Sequence, residues 1–318
     1  MKKVAIFILS LLPVFTAAAD WYSPWDSEPA APQIIVTDSS PAGLTLEISL
    51  EGAYLEPASE GEFQKLRLWD EYEPVTDIVG APEIPQIRRM LEIPSGKSAN
   101  IKITGSEWAQ LADITPYPHQ PYLKEGQTPS EFHYERKLYA EGGAFPQEIA
   151  VLSDPEIWGR KVISLARITP IQYFPDSGTL RIYKRLQVRI DFTPASGQIE
   201  AAQPAVVSAR REKLFQSTLI NYNPPQPPAK TDELSAVRYL IICPEEAVSY
   251  IQPLADLRHA QGYPVEIKTL NPLFQNPYSI KDYIRQLYES EGLEYALLIG
   301  NGDVNNPVVP MYYWDGGA

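Results

Sequence analysis

One residue in this chain has the chemistry of a sulfur nucleophile: Cys243, the single cysteine among 318 residues. A lone thiol closes no intramolecular disulfide and builds no thiolate metal cluster. To attack a carbonyl it must be a thiolate, which at neutral pH needs an adjacent base or positive charge. Cys243 instead ends the apolar run Tyr239-Leu-Ile-Ile242 and precedes Pro244, so no base flanks it. It reads as a small buried apolar residue. His259 lies on the helix predicted to follow. His119, in Pro116-Tyr-Pro-His-Gln-Pro121, and His133, in Glu131-Phe-His-Tyr134, have no ligand spacing. Three scattered histidines make no metal site.

Two further clusters carry chemical meaning. Gly300-Asn-Gly-Asp303-Val-Asn305 follows an apolar strand, as a phosphate-binding loop does. Asn305 stands where a dinucleotide fingerprint has its third glycine, and Pro307 and Pro310 forbid an immediate helix. An Asx-rich turn is the expectation, with Asp303 and Asn305 at the carboxyl end of a strand, where open α/β sheets bind ligands. Arg210-Arg211-Glu-Lys213 is basic and lies in a proline-rich stretch. Exposed linkers are where proteases cut, which makes Arg210 and Arg211 a candidate processing site. An ordinary solvated helix face fits the same residues.

The elements that must position these residues begin after a leader. Lys2 and Lys3 precede the apolar run Val4 to Phe15, then Ala17, Ala18, Ala19 and polar Asp20. Ala17 and Ala19 fit the small −3 and −1 positions of a signal peptide, so residues 1–19 are expected to be removed by cleavage before Asp20. The run is shorter than the roughly 20 residues that span a bilayer, and no later segment is apolar enough. The protein is expected to be exported, with no membrane span after signal removal. Its formal net charge of −13 repels phosphate backbones and excludes nucleic acid as a natural partner. Its 31 prolines argue against a mainly helical chain.

Residues 34–193 are expected to form an all-β, sandwich-like domain. Leu44, Leu46, Ile48 and Leu50 alternate with Thr45, Glu47 and Ser49, the period of a half-buried strand. Lys161 to Phe174, the turn Pro175-Asp-Ser-Gly178 and Thr179 to Phe192 read as a hairpin, its return strand apolar at Leu180, Ile182, Leu186, Val188, Ile190 and Phe192. Residues 194–235 read as a Pro/Ala-rich linker with a short helix over Ser208 to Leu219. Residues 236–318 change class. Apolar runs at Tyr239–Cys243 and Tyr295–Ile299, a strand at Val265 and Ile267, and two helical segments predict the β-α-β-α-β opening of an α/β parallel-sheet domain. Ser279-Ile-Lys-Asp282 looks like the capping box of the second helix.

Some motifs have a family likeness. Gly80-Ala-Pro-Glu-Ile-Pro-Gln-Ile-Arg-Arg-Met-Leu-Glu-Ile-Pro94, Gly159-Arg-Lys, Ile168-Thr-Pro170, Tyr173 and Leu180-Arg-Ile-Tyr183 form one block. Arg238-Tyr-Leu-Ile-Ile242, Pro253 to Gly262-Tyr-Pro-Val265, Tyr295-Ala-Leu-Leu-Ile-Gly300 and Gly302-Asp-Val-Asn305 form a second. In that order they resemble the propeptide and the start of the peptidase domain of the gingipain family (C25) of secreted cysteine peptidases. The resemblance implies a zymogen: a β-sandwich propeptide that covers and inhibits a caspase-like catalytic domain until proteolysis releases it. The partners it implies are protein or peptide substrates of the full-length enzyme and an intramolecular propeptide–catalytic domain contact. It implies no organic cofactor; calcium is compatible with the family, with no site assigned. The family's catalytic His, in a His-Gly motif, and its Cys have no counterpart here, since no His follows His259 and no Cys follows Cys243. The Gly300-Asn-Gly302 turn also departs from the family pattern, in which Asp directly follows glycine. The expectation is the amino-terminal part of a precursor, itself inactive. The alternative is a secreted, non-enzymatic β-sandwich module for binding, adhesion or inhibition.

Overall fold

The computed structural model describes residues 19–123, 126, 131–140, 143–197, 199, 201, 209–224, 239–270, 276–301 and 309–310. Elements are numbered along the chain. A four-stranded sheet has the order β1-β4-β5-β8, from Asp20–Tyr22, Ala53–Pro57, Phe63–Arg67 and Thr115–Pro116. A second runs β12-β13-β3-β2, from Ile171–Phe174, Thr179–Pro194, Gly43–Ser49 and Gln33–Ser40, with β7 (Lys97–Leu111) also on β13. A third runs β10-β11-β6, from Glu156–Trp158, Lys161–Ile168 and Ile87–Ile93, with β9 (Ala150–Leu152) also on β11. The fourth, parallel sheet has the order β15-β14-β16, from Val265–Thr269, Tyr239–Cys243 and Tyr295–Leu298. Among the described residues four α-helices accompany them: α1 (Arg136–Ala140), α2 (Ala209–Thr218), α3 (Val248–Ala260) and α4 (Pro277–Glu291). The described chain is thus mostly β.

Compact packing divides the chain into two units. One comprises Met1–Arg89, Ser98–Asp154 and Leu165–Pro194; the other comprises Met90–Lys97, Pro155–Ser164 and Ala195–Ala318.

In the first unit the antiparallel pair β3–β13 shows how the pattern sets the register. Leu44, Leu46 and Ile48 face Ile190, Val188 and Leu186, all at most 1% exposed. Thr45, Glu47 and Ser49 face Arg189, Gln187 and Arg185. Each buried aliphatic contributes about 1.5–3 kcal/mol, and a slip of one residue would move all six to the wet face. On the polar face Arg189 bridges Asp38 (2.7 Å) and Asp191 (2.9 Å), and Lys102 reaches Asp191 at 2.6 Å.

The expected hairpin forms, but with a shorter first arm. β12 and β13 pair Ile171 with Ile182 through Phe174 with Thr179, around a 3₁₀ turn closed by Gly178 at φ 60°. The stretch Lys161 to Phe174 is two strands, since β11 belongs to another sheet. Thr169-Pro170 separates them, and proline has no N–H to continue a ladder.

In the second unit β14 is the central strand and is buried throughout from Leu240 to Cys243. Leu240 and Ile242 pack with Ile280 and Leu287 of α4 and with Leu293. Helix α4 begins earlier than the sequence motif suggests. Asn276, not Ser279, is its N-cap: the Asn276 Oδ1 accepts from the Ser279 N–H at 2.9 Å. Pro277 at the first helical position needs no donor there, and Gly292 at φ 69° ends the helix.

Candidate processing segment

Helix α2 carries Arg210 and Arg211, and it is docked rather than free. Its anchor is Phe215, 1% exposed, set edge-on against the Trp158 ring at 5.0 Å. Ile163 and Leu219 complete the cluster, with Met90, Trp158 and Tyr222 around it. Gly159 (φ 61°) turns β10 into β11 beneath the helix; a Cβ there would lie 3.5 Å from Phe215 Cζ and 3.7 Å from Arg211 Cδ. The left-handed backbone suits glycine, while a Cβ would make only ordinary van der Waals contact with α2, so backbone conformation rather than space asks for glycine here.

Glu212 fixes the helix a second way. Arg160 donates to its Oε1 from Nη2 at 2.6 Å and from Nε at 3.1 Å, with both side chains mostly buried. The Tyr222 hydroxyl donates to Glu212 Oε2. Burial, together with the Glu212 carboxylate, pushes the Tyr222 phenol up to about 12. Beyond α2 the chain docks on β6. Asn221 accepts from Glu92 N and donates to Glu92 O, both at 2.8 Å, in place of a strand partner. Lys161 Nζ reaches both Glu92 oxygens at 2.7 Å.

A peptidase binds its substrate extended, so a bond within α2 is a substrate only after the helix unwinds. Arg211 is half-buried, with its guanidinium 5.9 Å from the Tyr288 ring centroid. The basic pair is therefore presented by a local opening. Sequence patterning placed the helix correctly, to within a residue or two. It did not show the Phe215 anchor or the Arg160–Glu212 pair, whose partners lie 52 residues apart.

The other sequence candidates fall elsewhere. Cys243 is fully buried at the end of β14. Burial pushes its thiol up, and Glu245 and Glu246 add to the shift, so the thiolate is disfavoured. His119 is 4% exposed, with Nδ1 2.7 Å from Glu83 Oε2, and His259 sits in the last turn of α3. No cluster of metal-ligating side chains occurs among the described residues. Asp20 opens β1, its Cα opposite Leu55. Ala17, Asp303, Asn305 and the Arg210 side chain lie outside the described residues. No described helix is long and apolar enough to cross a membrane.

Comparison with known proteins adds the relatives. The Propeptide_C25 profile matches residues 31–224, and that of Peptidase family C25 matches residues 232–317. Gingipain R2 of Porphyromonas gingivalis is 27% identical over 231 residues, covering 70% of this chain and 31% of that protein. Lys-gingipain HG66 of the same species is 22% identical over 258 residues, covering 72% of this chain and 14% of that protein. The chain therefore spans less than a third of the length of these relatives. The solved complex of P. gingivalis RgpB pro- and mature domains superposes with a TM-score of 0.53 at 22% identity, over 61% of this chain and 99% of the matched chain. That likeness is one of fold.

Proposed function

This chain belongs to the C25 propeptide family, and from that premise we propose that it is the amino-terminal region of a gingipain-like cysteine endopeptidase zymogen. The observation that carries the reading is the succession of two profiles along one chain, 31–224 and then 232–317. Residues 34–193 act as the propeptide that covers and inhibits the peptidase, residues 194–235 connect them, and residues 236–318 open a caspase-like α/β domain. The β-α-β-α-β order of the parallel sheet β15-β14-β16 supports the last assignment.

The full-length enzyme would cleave peptide bonds by thiolate attack, with a His base and backbone donors for the oxyanion. Cys243 is not that thiol, because it is buried and held protonated. The protein is exported, with cleavage between Ala19 and Asp20; that strand pairing begins at Asp20 among the described residues supports this boundary. Processing cuts beside Arg210 or Arg211 once α2 has undocked.

The test is inhibition. The purified chain, titrated into a mature C25 peptidase, is expected to suppress hydrolysis of an Arg or Lys peptide substrate stoichiometrically while hydrolysing none itself. Hydrolysis that titrates with Cys243, or an absence of inhibition, would refute the reading.

A further inference from the structure

Three arginine Nε atoms among the described residues are buried without a hydrogen-bond acceptor: those of Arg167, Arg181 and Arg258. Two of these side chains have other compensation. The Arg181 guanidinium lies 4.1 Å from the Trp108 ring centroid and 4.5 Å from that of Phe174. Arg258 lies 5.5 Å from the Tyr239 ring and donates to Gln261 at 2.8 Å. Arg167 has no such ring, acceptor or carboxylate among the described residues. The Arg167 side chain is half-buried, its Nε–H is shielded from water with no acceptor, and its charge is therefore left for a ligand that supplies one.

Arg167 lines a cleft of about 680 Å³ in the first unit, a size that suits small ligands. Thr169, 1% exposed, lines it too. Its hydroxyl accepts from Gln86 Nε2 at 3.3 Å. Phe145, Ile78, Leu138 and Val151 supply an apolar wall. Asp77 and Glu148 stand exposed in the lining. One half-buried cation over an apolar wall, with two exposed carboxylates beside it, favours a singly charged planar acceptor over a phosphate dianion.

The same cleft adjoins a hollow of about 640 Å³ that shares Glu148 and Val151 with it. That hollow is walled by Ala99, Asn100, Ile101 and Ile103 of β7 and by residues 148–152. Consecutive residues of both parities line it on each side, so it faces strand edges rather than one sheet face. Among the described residues β7 pairs only with β13, and β9 only with β11. Free edge groups of this kind bind an extended chain by adding a strand.

We propose that this groove binds an extended peptide, its terminal carboxylate on Arg167, its last side chain against Phe145 and Ile78, and its backbone along β7 or β9. The site is independent of zymogen processing and needs only the intact chain.

Calorimetric titration of the chain from Asp20 onward tests it, with acetyl-Ala-Val-Leu, the corresponding amide, and acetyl-leucine as probes. The free acid is expected to bind at least tenfold more tightly than the amide and more tightly than acetyl-leucine. Arg167→Met should remove the preference for acid over amide, and Arg167→Lys should keep part of it, with unchanged circular dichroism. Equal affinity for acid and amide, or no binding of either, overturns the site. Acetyl-leucine binding as tightly as the tripeptide overturns the peptide assignment and leaves a pocket for small carboxylates. The acid–amide comparison uses the unaltered protein, so it decides even if a variant fails to fold.

Discussion

Phe215→Ala isolates the gate on the basic pair of α2. The ring is 1% exposed, sits 5.0 Å from Trp158, and has the Arg160 guanidinium 5.9 Å from its centroid. Truncating a buried phenylalanine to alanine costs about 3–5 kcal/mol. A ten-residue helix has almost no stability of its own in water. The cost therefore falls largely on the docking equilibrium of α2. When opening and closing are fast relative to cleavage, the rate follows the population of the open form. The bond after Arg210 or Arg211 should then be cut between about 150-fold and a few thousand-fold faster, levelling off once α2 is fully open. Limited trypsin digestion, followed bond by bond with mass spectrometry, measures this. Leu214→Ala, at a position 50% exposed on the same helix, is the control and should change the rate little. If Phe215→Ala leaves cleavage at these two bonds at the wild-type rate, docking does not protect them and the reasoning fails.

Other outcomes follow from the same structure. Glu92→Gln should lower stability by about 2–3 kcal/mol in urea melts, because it strands Lys161, whose side chain is 8% exposed; Glu92 itself is 23% exposed, which keeps the loss below that of a fully buried pair. Cys243 should react with a thiol reagent at pH 8 only at the rate of unfolding, since burial raises its pKa and the folded chain holds it as the thiol; fast labelling of the native protein would contradict this. Hydrogen bonds from Lys102 and Arg189 hold Asp191 below the ordinary carboxylate value of 3.8. The unfolded state then binds the proton first as pH falls. The contribution of Asp191 is present above about pH 4 and lost as pH falls through the depressed value, so Asp191→Asn should flatten the acid limb of the stability curve. Amino-terminal sequencing of the exported protein should begin at Asp20.

Much of the fold is legible in the chain alone, and the reason is local. Leu44, Leu46 and Ile48 declare a strand because side chains alternate every residue, and their burial opposite Ile190, Val188 and Leu186 needs only a partner of matching parity. The apolar run at Tyr239–Cys243 likewise announces a strand covered on both faces, and with it the burial of Cys243. The order of motifs carried the family resemblance.

Other features come from separations that no local pattern encodes. Pro170 divides Lys161 to Phe174 between two sheets, and only the pairing of β11 with β9 and β10 shows it. Arg210 and Arg211 read as linker residues until Phe215 meets Trp158 and Glu212 meets Arg160. Arg167 looks like any strand arginine, because what distinguishes it is the lack of an acceptor around a cleft built by four separate stretches of chain. Periodicity is a property of neighbours along the chain, and it determined which residues are buried. Whether a buried polar atom finds a partner depends on where distant strands bring their side chains, and that the tertiary structure alone decided.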